Sequence, residues 1–418
     1  MARILLATFG SYGDLHPYLA VGIELRRRGH QVAVATSPIY AAKVRSEDLA
    51  FVPVRPDITL DDGEALSYVM DARHGPERIV RFVAEQIRES YEDTLPAVRN
   101  ADLVVTHPLT FGAVLSAQRL GVPWISTVLA PFSLLSAHDP PVQAAAPWMS
   151  QLRAFGPGPL RWLMSLAKRH TLSWIRPLLD LRRELALPTE GHPLFEGQHA
   201  PRRVLALFSK CLAQPQPDWP PQTVVTGFPF YDRHHEHPGL SPELERFLES
   251  GSAPIVFSLG SSAVGAAGDF YTLSLAAARR LGRRALFLTG RHPQGLSSDG
   301  VPADVLEVAY AAHSELFPRA AVTVHHGGIG TTSQAMLSGR PMLVVPFAHD
   351  QFDNGARVRR LGIAEVLPRK RYTVRRAEQW LRRLLEESHY AERSAVIAAE
   401  VRAEKGAQTA ADEAEAAL

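Results

Sequence analysis

The sequence predicts an α/β fold made of two doubly wound parallel-sheet domains facing a central cleft. Three observations carry this. Short apolar runs alternate with helix-like stretches from the first residues onward, the alternation restarts near residue 255, and a glycine-rich strand-to-helix turn stands at 324–332. At 418 residues the chain is long enough for about two domains. The expected division is 1–233 for the first domain, 234–400 for the second, and 401–418 for a helical tail packing back on the first.

The apolar strand at 4–9 leads through Gly10-Ser11-Tyr12-Gly13-Asp14 into a helix expected from Pro17 to Arg28, with Gly29 closing it before a strand at 31–36. Proline at a helix start and glycine past its end are ordinary punctuation. Apolar runs at 103–106 and 124–128 flank a helix over 111–120 and continue the sheet. The stretch 158–187 is amphipathic, rich in Trp, Leu and Arg, and broken near Pro177. It reads as core helices in preference to a helix on a membrane surface. Strand signals recur at 204–208 and 224–226, and the polar run 232–239, closed by Pro-Gly, reads as the linker.

The second half repeats the pattern. Strands at 255–259, 285–289 and 305–308 enclose the turn Gly260-Ser261-Ser262 and a helix over 270–281. A strand over 322–324 then runs into His325-His326-Gly327-Gly328-Ile329-Gly330-Thr331-Thr332, a helix follows until Gly339 and Pro341 stop it, and the strand 342–345 leads to Asp350, Gln351 and Asn354. The glycines admit close backbone approach, and a helix start offers free N–H groups and a positive dipole end to an anion. This arrangement reads as a diphosphate cradle. No G-x-x-x-x-G-K-[ST] run is present, and Ser333 stands where a dinucleotide fingerprint wants a third glycine.

Composition narrows the class. Lys plus Arg (45) nearly balances Asp plus Glu (43), and no basic stripe is interleaved with aromatics, so no nucleic-acid partner is expected. The single Cys211 excludes an internal disulfide, and no Cys/His spacing suggests a metal site. The opening apolar run is broken by Gly10 and Asp14 too early for a signal peptide, and no stretch of about 20 apolar residues suggests an integral membrane segment. A cytoplasmic monomer or weak dimer is the expectation.

The order of His-x-Gly, small hydroxyl residues, and then Asp-Gln about twenty residues on resembles the nucleotide-sugar signature of the family 1 glycosyltransferases, whose two Rossmann-like domains form the GT-B fold. The opening Gly10 to Asp14, the stretch 134–141 with Asp218-Trp219-Pro220, and Thr226-Gly227-Phe228-Pro229 resemble the subgroup of rhamnolipid-type rhamnosyltransferases and sterol or glycopeptide glycosyltransferases. The resemblance implies an inverting, metal-independent transferase with no cofactor beyond its nucleotide-sugar co-substrate. His326, Gly328, Gly330, Thr331 and Thr332 would hold the donor diphosphate, closed by Gly260 and Ser261, and a histidine with several N–H donors stabilises the charge of the leaving group. Tyr310 would stack on the base beside His313, and Asp350 with Gln351 would bind sugar hydroxyls. His325 is read as a core residue, because neighbouring strand residues face opposite ways.

Inversion needs a base for the acceptor hydroxyl proton. Asp14 is the choice, in a Gly-Ser-x-Gly-Asp loop where many relatives carry histidine. A solvated carboxylate is a weak base near neutral pH, which makes His16 the rival. Gln334 stands eight residues after His326, where UDP-glucose enzymes often carry a ribose-binding glutamate. An amide there suits deoxyribose and favours dTDP-L-rhamnose over UDP-glucose. The acceptor would be a small hydrophobic phenol, such as a flavonoid, or a hydroxylated lipid, lodged in the first domain near Phe111, Leu134, His138 and Trp148. A nucleotide-sugar epimerase, or a non-catalytic nucleotide-sugar-binding protein, is the alternative.

Overall fold

The computed structural model describes residues 1–57, 68–189, 191–231, 239–290 and 303–418. All but the last residue of the predicted linker at 232–239 lies outside the described residues, as do the side chains of Ser261 and Ser262. The chain forms two compact units, one gathering the described residues of 1–59, 73–231 and 404–418, the other those of 60–72 and 232–403.

The first unit is built on seven strands: β1 (Arg3–Ala7), β2 (Gln31–Thr36), β3 (Ala50–Pro53), β4 (Leu103–Thr106), β5 (Trp124–Val128), β6 (Val204–Ala206) and β7 (Thr223–Val225). They pair in the order β3-β2-β1-β4-β5-β6-β7, all parallel. Every residue of β4 and β5 is buried, as expected of strands covered on both faces of a parallel sheet.

The helix after β1 runs Tyr12–Arg27, beginning five residues before the expected Pro17, which lies inside it. The cause is a capping box: Ser11 Oγ accepts from the Gly13 N–H, and the Asp14 carboxylate accepts from the Ser11 N–H at 2.7 Å. This box defines the start more strongly than proline does, and it turns Asp14 back towards the loop after β1.

The amphipathic stretch divides into helices Pro157–Thr171 and Arg176–Glu184. The second joins the core through Leu178 and Leu181, packed with Phe9, Phe111 and Ile175. The first corrects the core expectation, since it buries only Leu160 and Thr171. The C-terminal helix Gly406–Glu415 lies on the first unit, where Arg28 reaches Asp412 at 2.6 Å and Glu415 at 2.7 Å. Gly406 sits so close to the backbone of Phe228 that a Cβ would fall 2.3 Å from its carbonyl oxygen.

The second unit carries six parallel strands: β8 (Ile255–Ser258), β9 (Ala285–Leu288), β10 (Val305–Val308), β11 (Val322–His325), β12 (Met342–Val344) and β13 (Ala364–Val366). Their order is β10-β9-β8-β11-β12-β13. Its core centres on Phe257 and Phe287, stacked at 4.8 Å, with Phe270, Tyr271 and Tyr372 around them. In both sheets the chain moves one way from the first strand and the other way from the fourth, so switch points fall between β1 and β4 and between β8 and β11. Open parallel sheets bind ligands just beyond the carboxyl ends of such strand pairs. Among the described residues no helix is long and apolar enough to cross a membrane.

Candidate active site

At the switch point of the second unit, His325 of β11 stands in register with Ser258 of β8. The residues just past each strand are therefore neighbours. A Cβ on Gly260 would lie 2.6 Å from His326 Cε1, and one on Gly328 would lie 2.4 Å from His326 Nε2. Glycine is required at both positions for the imidazole to fit against them. Gly327 has a second reason to be glycine, with φ of 92° and Val344 only 2.7 Å from where a Cβ would stand.

His326 is 4 % exposed, and its Nδ1 is buried without a partner. Burial, with a smaller contribution from His313, pushes it down to about 3, so the ring is neutral at physiological pH. His325 is fully buried and structural: its Nδ1 accepts the Gly327 N–H at 3.1 Å, and its Nε2 lies 3.4 Å from Met342 Sδ. The helix Ile329–Ser338 starts at Gly328 with no side chain capping it, which leaves the N–H groups of its first turn for a ligand. Thr331 and Thr332 are buried in that turn, and Thr332 Oγ1 has no partner; deeper in the same helix, neither does Gln334 Oε1. Gly330 gives its carbonyl to Ser333 Oγ.

The turn after β12 is tied to this cradle. Asn354 Nδ2 donates to the Gly327 carbonyl at 3.0 Å and to Asp350 Oδ2 at 2.7 Å, so one amide links the glycine turn after β11 to the predicted sugar-binding residue. Gln351 is 3 % exposed, and its Oε1 accepts from the N–H groups of Phe347 and Ala348. Its amide N–H₂ is the group left for a ligand. His349, just before, holds a left-handed conformation with φ of 53°, a strained state typical of functional loops. His313 Nε2 lies 3.3 Å from Ser258 Oγ with its ring stacked on Phe317, and Tyr310 is 44 % exposed beyond the end of β10.

At the switch point of the first unit, a Cβ on Gly10 would fall 2.3 Å from Asp14 Oδ2, and Gly10 has φ of 132°. Asp14 Oδ2 accepts from the Ser11 N–H and hydroxyl. Its other oxygen, Oδ1, lies 3.4 Å from His107 Nε2, at the end of β4. His107 Nδ1 accepts the Leu109 N–H at 3.2 Å, which leaves the ring proton on Nε2, facing Asp14. Sequence reading missed His107; the signal available was a polar residue at the carboxyl end of the strand across the switch point.

His16 does not share the place of Asp14. Two residues apart on a helix, they point nearly opposite ways, and His16 packs against Tyr12 and Tyr231 at ring distances of 5.4 and 5.0 Å. A small cavity beyond β1 and β2 is lined by Thr8, Phe9, Thr36, Ser37, Leu109 and Thr110, and Thr36 Oγ1 is buried there without a partner. Of the predicted acceptor residues, Phe111 is 5 % exposed and packs among Leu115 and Ile175. Leu134 is buried, Trp148 exposed, and His138 Nε2 lies 3.2 Å from Arg161. The loop bearing Leu134 and His138 is clamped by Asp218, whose carboxylate accepts from Ser136 Oγ and the Ala137 N–H, each at 2.6 Å. Among the described residues no cluster of three or more His, Cys, Asp or Glu is arranged to hold a metal ion.

Residues 4–125 match the glycosyltransferase family 28 N-terminal domain, and 286–416 match the erythromycin biosynthesis protein CIII-like C-terminal domain. The chain is 34 % identical over 378 residues to the O-mycaminosyltylonolide 6-deoxyallosyltransferase of Streptomyces fradiae, covering 87 % of this chain and 84 % of that one. Among solved structures it is similar to the glycotransferase of kitacinnamycin, with a TM-score of 0.74, 23 % identity, and 100 % and 99 % of the two chains covered. It is also similar to glycosyltransferase VinC in complex with dTDP, with a TM-score of 0.70, 20 % identity, and 99 % of each chain covered. The chain belongs to the GT-B family 1 glycosyltransferases, among the bacterial natural-product transferases.

Proposed function

We propose that this enzyme moves a hexose from a dTDP-sugar, with dTDP-L-rhamnose the first choice and UDP-glucose the second, onto a hydroxyl of a small hydrophobic acceptor such as a phenol or a hydroxylated lipid, with inversion. The observation that carries the donor half is the buried His326, whose Nδ1 has no partner, beside an uncapped helix start. A neutral imidazole and first-turn N–H groups suit a diphosphate whose charge grows as the glycosidic bond breaks. Asp350 and the Gln351 amide would orient the sugar, with Asn354 holding their loop to the cradle.

In the transfer the acceptor oxygen attacks the anomeric carbon, its proton passes to the Asp14 carboxylate, and the bond to the diphosphate breaks with its electron pair leaving on the nucleotide. His107 would act as a positioning residue, holding Oδ1 while the capping box holds Oδ2. Phe9, Leu109 and Thr110, which line the small recess beyond β1, offer an apolar wall against which an acceptor could rest.

The donor preference rests on Gln334, whose buried Oε1 has no partner. An amide makes a weaker hold on a ribose 2′-hydroxyl than a carboxylate does. The relative named for 6-deoxyallosyl transfer and the neighbour seen with dTDP support the same choice. Kinetics with UDP-glucose, dTDP-glucose and dTDP-L-rhamnose on a mixed phenol and lipid acceptor set, read by mass spectrometry, test it. Gln334→Glu should shift preference towards UDP by roughly tenfold, the value of one hydrogen bond to a charged acceptor. A parent enzyme that uses UDP-glucose and ignores both dTDP donors would overturn the donor choice.

A further inference from the structure

The helix Pro157–Thr171 and the segment before it present an apolar stripe to solvent that the chemistry above does not use. Phe155 is 77 % exposed, Trp162 62 % and Leu166 41 %. Trp162, Leu166 and Arg169 follow at helical spacing of four and three residues, which sets them along one face. The segment is seated on the first unit by Leu160, Thr171 and Ile175, all buried, and by the ion pair of Lys168 with Glu196. The stripe is therefore fixed in place rather than loosely tethered.

The stretch itself carries charge of one sign. From 140 to 179 the chain has no Asp or Glu, yet carries Arg153, Arg161, Lys168, Arg169 and Arg176, while acids make up 43 of all 418 residues. The stretch carries +5 in a chain whose net charge is +2, so the remainder is net negative. Lys168 and Arg161 have protein partners in Glu196 and His138. Exposed Trp and Leu on a helix, with exposed Phe155 just before it, five cations along the same stretch and Glu196 paired to one of them, match a surface that lies in the interface of an anionic bilayer.

We propose that this face docks the enzyme peripherally on anionic lipid membranes, with Phe155, Trp162 and Leu166 entering the headgroup boundary and Arg153, Arg169 and Arg176 meeting lipid phosphates. An acidic protein would satisfy the cations, but Trp162 and Leu166 stand exposed along one helix face with cations on the same stretch, the pattern of an interfacial helix, which favours a bilayer. The inference is independent of which sugar or acceptor the enzyme takes.

Co-sedimentation of the full-length protein with phosphatidylcholine vesicles, with and without about 30 % phosphatidylglycerol, tests it. Binding should appear with the anionic vesicles and fall with added salt. It should weaken roughly 100-fold in an Arg153→Gln, Arg169→Gln, Arg176→Gln variant, at about fivefold per cation. Phe155→Ser, Trp162→Ser, Leu166→Ser should abolish it while leaving the melting temperature and dTDP affinity unchanged. Brominated lipid should quench the parent's tryptophan fluorescence, and quench the Trp162→Phe variant less. Three results would overturn the proposal: no binding to anionic vesicles, binding unchanged in the serine variant, or self-association of the lipid-free parent that the serine variant loses, which would assign the stripe to a second copy.

Discussion

The proposed reaction rests on a few atoms held in place by their neighbours. Asp14 has one oxygen fixed by the capping box and the other facing His107 Nε2. Asp14→Asn keeps the size and the acceptor oxygen but cannot take a proton, so turnover should fall by roughly 100-fold or more with dTDP binding retained. His107→Ala frees the carboxylate to turn and should lower kcat by about 10- to 100-fold at unchanged donor KM. His107→Gln, which keeps an N–H donor, should recover part of that loss. A merely structural His107 would instead show equal losses in both variants together with a lowered melting temperature. His16→Ala should be the mildest of the four, because His16 faces Tyr12 and Tyr231 rather than the Asp14 carboxylate. An inactive His16→Ala enzyme beside an active Asp14→Asn enzyme would reverse the two roles.

Elements determine where those atoms lie. The helix Gln351–Arg360 carries the Asp350 turn at its start, and its inner face holds the ion pair of Asp353 with Arg357 at 2.7 Å, with side chains 1 % and 2 % exposed. Taking the carboxylate out of this buried pair should cost about 3 to 5 kcal/mol of stability in Asp353→Ala, measured by denaturant unfolding. A loss below about 1 kcal/mol would show that the pair contributes no more than an exposed one does. The central strands β4 and β5 were legible in the sequence because burial on both faces leaves unbroken apolar runs, and they have the residue limits read from it, as do β2 and the edge strand β10. The strands β3 and β13 were not legible. Each lies at a sheet edge and is short, and the first ends in Pro53 while the second contains Glu365, so neither gives a clear apolar signal. The glycine-rich turn from β11 into the helix Ile329–Ser338 was legible because its glycines and hydroxyl residues are contiguous. The Asp14–His107 contact was not, because it joins residues 93 positions apart that meet only when β1 and β4 pair.

At the scale of the whole molecule, buried neutral histidines make the fold sensitive to acid. Burial holds His325 well below its ordinary range and His326 down to about 3. In the unfolded chain each takes up a proton as pH falls through about 6.5, while in the folded chain neither does until far lower. The unfolded state thus binds more protons, and stability is present above about 6.5 and lost as pH falls below it. The denaturation midpoint should decline steadily between about pH 6.5 and 5, above the range where carboxylates contribute. A midpoint constant over that interval would mean that these histidines are charged or solvated in the folded protein. The C-terminal helix adds a second global feature, because Arg28, His30 and Arg203 hold it through Asp412, Glu415 and Glu413 to the unit the chain began with.

The central claim is that His326 and the uncapped helix start hold the donor diphosphate. Calorimetric titration of dTDP into the parent enzyme and into His326→Ala, with transfer rates measured on the same preparations, tests it most directly. The account predicts binding at least about tenfold weaker in the variant, the value of a hydrogen bond to a charged group, with slower transfer. Equal dTDP affinity and an equal rate in a folded His326→Ala enzyme would contradict it.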